Sequence, residues 1–443
     1  MSPFVRVVVL NFNGAPFVLR CVEALSHLDY PPDRHEIVVV DNASTDGSVD
    51  ALRSSFPGVR LVEKAENTGF PANNVAMTDL DGVDHVALVN PDAFVEPDWL
   101  AKLVEAALTD PTVGAWCPKI LLEPRFADLA LDVDAQTVPG DPRLLGVQVS
   151  GVRVDGEDRF DSVGFGAGFW GAEVGGGPHP RYQWSTDHAT LSVPLEADEH
   201  RPMVALRLRA PAPTRVRVDG GPPLGVGAEA EWFDVGSPTG PLHDIVNNIG
   251  SRLVDGGFGG DRGFLVPDQG QFDQPCDVFA WCGGGVLLSR DYLADVGLFD
   301  ESFFLYYEDT DLSWRGLARG WRHRTVPDAV MRHLHAATSE EGSPLFQHFV
   351  ERNRFAMLTK NAPGWMLRRA VVGYVRALTS YTLRDIVLPL TRGHRPSPGL
   401  PIRRARSFIA WLKMLPQLLP ERRRLRRRQR VPDALITGWS EPQ

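Results

Sequence analysis

No run of about 18 consecutive apolar residues occurs in the chain, so no membrane-crossing helix is expected. Cysteine is scarce. The four present (Cys21, Cys117, Cys276 and Cys282) are widely scattered and show no paired ligand spacing. Neither a disulfide framework nor a zinc ribbon is expected, and a reducing cytoplasm is the simpler setting. The amino terminus, MSPFVRVVVLNFNG, has one early arginine and a short apolar run before Asn and Gly, which reads as a first buried strand and not as a secretion signal. Disorder is excluded as well: 43% of residues are hydrophobic and 23% charged, close to the globular average. The length of 443 residues allows about two to four domains. Glycine (42) and proline (36) are plentiful, which predicts many turns and at least one loop-rich or all-β section. The net charge of -10 is unevenly spread, because Pro401 to Arg430 holds eleven Arg or Lys and one acid, Glu421, leaving -20 on the rest. An acidic body with a basic tail implies a separate partner for the tail.

Residues 4 to 120 alternate β-rich runs with helical patterns. Val5 to Leu10, Glu36 to Val40, Val59 to Val62 and His85 to Val89 are apolar and β-branched, as parallel strands covered on both faces should be. Phe17, Cys21, Leu25 and Leu28 recur at helical spacing between the first two, and Ser44 or Asp46 can cap a helix through Leu52 and Phe56. Such βαβ repetition predicts a doubly wound sheet with its ligand beyond the carboxyl ends of the strands. The polar residues standing there are Asn11, Asn13, Asp41, Asn42, Asn90 and Asp92.

From 126 to 243 the pattern changes to short alternating runs separated by turn signals, which predicts an inserted antiparallel β-sandwich. Its Trp170, Tyr182, Trp184 and Trp232 suit a sugar-stacking surface or a sandwich core, with the core favoured. Mixed α/β patterning resumes from about Ile245, and 345 to 390 is helical. The expected organisation is therefore an α/β domain made of 1–125 and 244–344, an inserted β domain at 126–243, and a helical region with a basic tail at 345–443.

Three segments carry chemistry. Asp41 to Asp46 follows a strand and can meet a nucleobase or ribose, though it reads equally as a capped βα turn. Asn90-Pro-Asp92 ends another strand, where Asp92 can hold a hard divalent cation against a diphosphate; taken alone, such a segment is most often a turn. Glu308, Asp309 and Asp311 stand within four positions behind an aromatic run. Clustered carboxylates repel, so a cation, a donor or a catalytic task is expected there. His333 and His335 taken alone are more often ordinary surface or core histidines, and Cys282 beside three glycines reads as a small buried residue.

Together the segments VVVLNFNG, LDYPPDRHEIVVVDNASTDGS, ENTGFPANN, LVNPDAFVEPDWL, VGLFDESFFLYYEDTDLSWRGLARGW, VPDAVMRHLHAATS and HFVERNRFAMLTKNAP resemble, in order, glycosyltransferase family 2, and most closely its rhamnosyltransferase and galactofuranosyltransferase-like branch. The resemblance covers about 1–124 and 245–365 and stops across 126–243. It implies a GT-A, Rossmann-like α/β fold and an inverting, metal-dependent transferase that moves rhamnose, galactofuranose or a similar sugar. The donor would be dTDP- or UDP-linked and the acceptor a cell-surface glycan or polyprenyl-linked lipid. By the same resemblance Asn11, Asn13, Asp41, Asn67, Gly69, Asn74 and Asn90 contact the nucleotide sugar. Asp92 and His333, with His335 as the fallback, hold Mg2+ or Mn2+; the motif's first acid is replaced by Asn90. Asp309 is the base, and Trp281, Glu308 and Asp311 lie on the acceptor side. A carbohydrate-binding scaffold on a degenerate transferase fold is the rival reading, against which the presence of both Asp92 and Asp309 speaks.

Phe408, Trp411, Leu412 and Leu415 form an apolar stripe flanked by arginines, which predicts a peripheral contact with an anionic membrane, on the inner face of the cell membrane. RRRLRRRQR lacks interleaved aromatics and the remainder is acidic, so no nucleic acid is expected. A homo-oligomer is left open.

Overall fold

The computed structural model describes residues 2–174, 181–195, 202–334 and 343–441. They form two compact units, one of residues 1–123, 246–264 and 269–443, the other of 124–245 and 265–268.

The first unit is built on a mixed sheet. Its parallel half comprises β1 (Val5–Asn11), followed by helix α1 (Phe17–Ser26), β2 (His35–Asp41) with α2 (Ser48–Ser55), β3 (Arg60–Glu63) and β4 (His85–Val89). Helix α3 (Trp99–Ala107) and β5 (Val113–Leu122) come next, and β6 (Gly285–Ser289) enters far later in the chain. The strand order is β3-β2-β1-β4-β6-β5, with β6 antiparallel to both neighbours. Helix α4 (Glu308–Arg319) then leads into the long strand β7 (Arg322–His333), which runs parallel to β5. Val5, Val7 and Val9 face Val18, Val22 and Leu25 of α1 and Trp99 and Leu103 of α3, whereas Val8 faces the opposite layer with Val40, Leu88 and Tyr292. Both faces of β1 are buried, which is why its sequence is a continuous apolar run.

The C-terminal helices belong to this first unit. Helix α5 (Pro344–Asn361) puts Phe355 and Leu358 into one cluster with Phe303 and Trp314, and α6 (Gly364–Thr382) adds Met366, Ala370 and Tyr374. The 30-residue α7 (Gly399–Arg428) packs on them through Trp411, whose Nε1 donates to Thr359 Oγ1, and through Phe408, whose ring stacks on Tyr374. This corrects the expected lipid-facing stripe: Trp411, Phe408 and Leu415 are spent against α5 and α6, and only Leu412 stays exposed. An amphipathic stripe presents the same period to a helix as to a lipid surface. Among the described residues no helix is long and apolar enough to cross a membrane.

The second unit contains a five-stranded and a six-stranded antiparallel sheet. Leu129, Leu131, Leu191 and Val216 of one meet Val149, Val152, Leu206 and Leu208 of the other in one core. The unit's tryptophans lie outside that core, and their faces carry guanidinium groups: Arg153 is 4.1 Å from the Trp232 ring centre and Arg209 5.4 Å from that of Trp184. The ends of the unit are joined by reciprocal backbone hydrogen bonds between Phe126 and His243, of 2.9 and 2.8 Å.

In the first unit Val246 pairs antiparallel with Leu121 of β5, so the chain leaves and re-enters the sheet at neighbouring positions, a separation that a hairpin-length connection can span. Replacing 126–243 with a short Gly/Ser linker is expected to leave a soluble chain with cooperative thermal unfolding. Loss of all soluble protein would show a shared core instead.

Candidate functional site

The carboxyl ends of β1, β2 and β4 carry the polar residues. Asn11 and Asp41 are register partners, and Asn11 Nδ2 donates to Asp41 Oδ1 at 2.8 Å and to Ser48 Oγ at 2.8 Å. Asp41 Oδ2 accepts the Ser44 amide at 3.0 Å. Asn11 is fully buried, so it orients the Asp41 carboxylate; Asp41 itself is 3% exposed. Asn13, at φ 50°, accepts the Thr45 amide through Oδ1 and donates its own amide to Ser44 Oγ, clipping the loop after β1 to the loop after β2.

A second network starts at Asn42. Its Nδ2 donates to Asn67 Oδ1 at 2.8 Å and to the Gly69 carbonyl at 3.1 Å, while its Oδ1 accepts the Thr68 amide. Gly69 sits at φ 74°, and a Cβ there would lie 1.9 Å from the Phe304 carbonyl oxygen. Asn74 brackets Phe299, with Nδ2 on its carbonyl and Oδ1 on its amide. Asn67, Gly69 and Asn74 thus fasten the 299–304 segment, which leads to α4.

Beyond β4, Asn90 receives Gly284 against its side chain and its amide bonds the Gly284 carbonyl at 3.1 Å. Asp92, 2% exposed, lies with Oδ1 3.1 Å from His333 Nε2, and His333 Nδ1 faces Asn247 Oδ1 at 3.0 Å. With Nδ1 turned to that carbonyl oxygen, Nε2 and the Asp92 carboxylate face one another as two possible metal ligands. Asp92 and His333 are thus the residues that could hold a divalent cation, which would supply positive charge beyond the end of β4. Among the described residues no group of three His, Cys, Asp or Glu stands in ligating arrangement. His335 lies outside the described residues.

The three clustered acids have three different environments. Asp309, at the start of α4, accepts the Gly283 amide at 3.1 Å and the Thr310 amide and hydroxyl, and burial lifts its carboxyl above the usual range against those hydrogen bonds. Glu308 is buried with Oε2 unpartnered, and burial reinforced by Asp309 pushes its carboxyl well above the ordinary value. Asp311 is fully buried and bonded to Arg315 Nε (2.9 Å), Lys360 Nζ (2.9 Å) and Asn361 Nδ2 (2.7 Å). Trp281 is likewise fully buried, edge-on to Phe299 at 5.9 Å. The expected acceptor-side placement of Asp311 and Trp281 gives way on this ground, since both are consumed inside the fold. The turn Cys282-Gly283-Gly284 therefore touches both Asp309 and Asn90, and joins the strand-end acids to the helix-end acids.

Asn247 and Asn353 stand outside the residues that the sequence singles out, and Asn42 is marked there only as a polar residue at a strand end. Asn353 Nδ2 lies 2.7–2.8 Å from the carbonyls of Phe303, Leu305 and Tyr306. The only sequence signals were Asn42 beside Asp41 at a strand end and Asn353 within the HFVERNRF segment.

A family model described as Glycosyl transferase family 2 matches residues 6–166. The beta-monoglucosyldiacylglycerol synthase of Synechocystis is 34% identical over 119 residues, 26% of this chain and 24% of that protein, so the chain spans about a quarter of that relative's length. The N-acetylglucosaminyl-diphospho-decaprenol L-rhamnosyltransferase of Mycobacterium tuberculosis is 22% identical over 379 residues, 82% of this chain and 87% of that one. The solved mannosyltransferase PcManGT of Pyrobaculum calidifontis, in complex with GDP-Man and Mn2+, aligns with 99% of this chain and 88% of its own at 16% identity and a TM-score of 0.42, a likeness too loose to carry further argument.

Two stability measurements test these environments. Gly69→Ala combines a left-handed backbone with a steric clash, and chemical denaturation is expected to show a loss of about 1–3 kcal/mol or more. Glu308 holds its proton to higher pH when folded than the ordinary value of 4.5 allows, so raising pH from about 4.5 costs the folded chain stability. Glu308→Gln is expected to remove that cost: the variant gains on the wild type as pH rises from 4.5 to 8. A gain independent of pH would contradict the buried, proton-holding environment.

Proposed function

We propose that this chain, whose residues 6–166 match the glycosyltransferase family 2 model, moves a sugar from a nucleotide-sugar donor to a glycan or lipid-linked acceptor with inversion at the transferred carbon. The observation that carries the reading is the Gly283–Gly284 turn, which sets Asp309 and the Asn90-Pro-Asp92 segment on its two sides. A single displacement requires the leaving diphosphate to be stabilised on one face of the sugar and the attacking hydroxyl to lose its proton on the other. Asp309 bonded to one end of that turn, and the Asn90 backbone two residues before Asp92 bonded to the other, suit that division.

Asp92 and His333 would hold Mg2+ or Mn2+, which when bound supplies positive charge against the diphosphate. Asp309 accepts the proton of the acceptor hydroxyl. Its hydrogen bonds to Gly283 and Thr310 fix its direction, and burial makes it a stronger base than an exposed aspartate. Glu308 binds its proton more tightly still, and Asp311 is neutralised by Lys360 and Arg315, so neither competes for the task. Asp41, oriented by Asn11, faces the nucleoside, and Asn42 with Asn67 shapes the same wall. The rhamnosyl group and decaprenol-linked acceptor named for the mycobacterial relative, together with its alignment over most of both chains, support a polyprenyl-linked acceptor.

Two measurements check the reading. Screening dTDP- and UDP-sugars by thermal shift, with and without Mg2+ or Mn2+, is expected to single out one donor, since a ligand at 100 times its Kd stabilises by about 2.7 kcal/mol. Asp309→Asn should keep donor affinity within a few-fold and lose turnover on the order of 100-fold or more, whereas Asp92→Ala should weaken cation-dependent donor binding itself. Near-normal turnover in Asp309→Asn with collapse in Glu308→Gln would identify the other acid as the base.

A further inference from the structure

Helix α6 is held on its inner side by Met366, Ala370 and Tyr374, spaced four residues apart and all buried. That fixes its rotation, so Trp365, Arg368, Arg369, Val372, Val375 and Arg376 are exposed on the outer side, with Trp365 53% exposed. The outer side borders a groove of about 870 Å³, lined by Arg354, Arg368, Arg369, Arg376 and Arg404 together with Phe258, Trp365 and Tyr374. Asp255, 3.8 Å from Arg369, is the one acid in that lining. Arg404 is paired with Glu351 at 3.2 Å and Arg354 donates to the Gly256 carbonyl, yet the Nε atoms of both are buried without a hydrogen-bond partner, and Arg354 lies over the Phe258 ring at 4.0 Å. Past the helix, Leu383, Val387, Leu388 and Leu390 continue as exposed apolar residues. Residues 364–430 hold seventeen Arg or Lys against Asp385 and Glu421, in a chain whose other residues sum to -25.

We propose that this arginine groove and the outer side of α6 form a membrane-docking site that takes the phosphate of an anionic lipid. Charge complementarity selects the occupant. Five guanidiniums against two carboxylates, Asp255 beside Arg369 and Glu351 beside Arg404, leave an excess of positive charge that selects a phosphate, and a tryptophan and valines interleaved with the arginines along one helix side match the headgroup boundary, where aromatic rings lie and arginines reach outward to phosphate. An acidic peptide would match the charge and leave the apolar row beyond Leu383 uncovered. The site is distinct from the Phe408–Leu415 stripe, which faces inward, and it stands independently of the transfer reading.

The test is sedimentation of the full chain with neutral phosphatidylcholine vesicles and with vesicles containing phosphatidic acid, at low and physiological salt. Binding is expected only to the anionic vesicles. Each arginine near such a surface is worth about fivefold, so Arg368→Gln/Arg369→Gln/Arg376→Gln should lose on the order of a hundredfold. A charge-matched control, Arg423→Gln/Arg424→Gln/Arg427→Gln in the basic tail, should lose less than tenfold, and Trp365→Ala should weaken binding without changing the circular dichroism. Equal loss in the two triple variants would reduce the site to diffuse charge and overturn the proposal, as would binding to neutral vesicles. Displacement by inorganic phosphate at the lipid-phosphate concentration would make the groove a free-phosphate site and overturn the membrane assignment. Vesicle binding without any donor-dependent thermal shift would leave this inference standing and remove the transfer reading; the opposite result would do the reverse.

Discussion

The buried carboxylate of Asp311 is the tie on which the site depends. It accepts from Arg315, Lys360 and Asn361, and Lys360 continues to Asp300 at 2.6 Å, while Arg315 donates to the carbonyls of Val296 and Leu298. Although burial opposes it, Lys360 and Ser302 hold the Asp300 carboxyl down to about 2. One network thus binds the segment before α4, α4 itself and the end of α5. Removing one partner from such a buried cluster costs about 3–5 kcal/mol, because the remaining charges stay desolvated. The cluster therefore fixes where α4 begins, and with it where Asp309 points.

The acids of the EDTD segment show how far a sequence can be read. Three carboxylates in four positions announce that something compensates their repulsion, and that much was legible. Which acid is neutralised, which holds its proton and which remains available depends on Lys360 and Asn361, about 50 residues downstream, and on Gly283, 26 residues upstream. A helix turns about 100° per residue, so neighbours in sequence diverge in space. Local pattern predicts that divergence without saying which direction meets a cation.

The same limit explains the rest. Strands β1, β2 and β4 were legible because burial on both faces leaves an unbroken apolar run, and their polar ends follow from where such runs stop. The pairing of Asp92 with His333 was reached by resemblance, since 241 residues separate them. The resemblance puts Asn74 against the nucleotide sugar, and what the sequence does not show is that it also brackets the backbone of Phe299, a partner no residue type advertises. The Trp411 stripe was legible as amphipathic and assigned to the wrong neighbour, because Phe355 and Tyr374 offer the same apolar surface as lipid.

The segment entering α4 is held in a strained backbone. Phe304, Tyr306 and Tyr307 all lie at positive φ, 64°, 68° and 71°, where bulky side chains are disfavoured at roughly 1–3 kcal/mol each. Such a backbone persists only if its surroundings over-determine it. They do: Gly69 leaves room for the Phe304 carbonyl, Asn353 gathers three carbonyls of the segment, and Arg352 donates to those of Ser302 and Phe303. Tyr307 then starts α4 abruptly, with no extended approach, so that Glu308 turns inward and Asp309 meets the Gly283 amide within a single residue step. The strain and the acid assignment are one feature. A relaxed entry would change the direction from which α4 begins and present a different carboxylate to the turn, so the asparagine, the arginine and the glycine that hold the strained backbone set which acid meets the Gly283 amide.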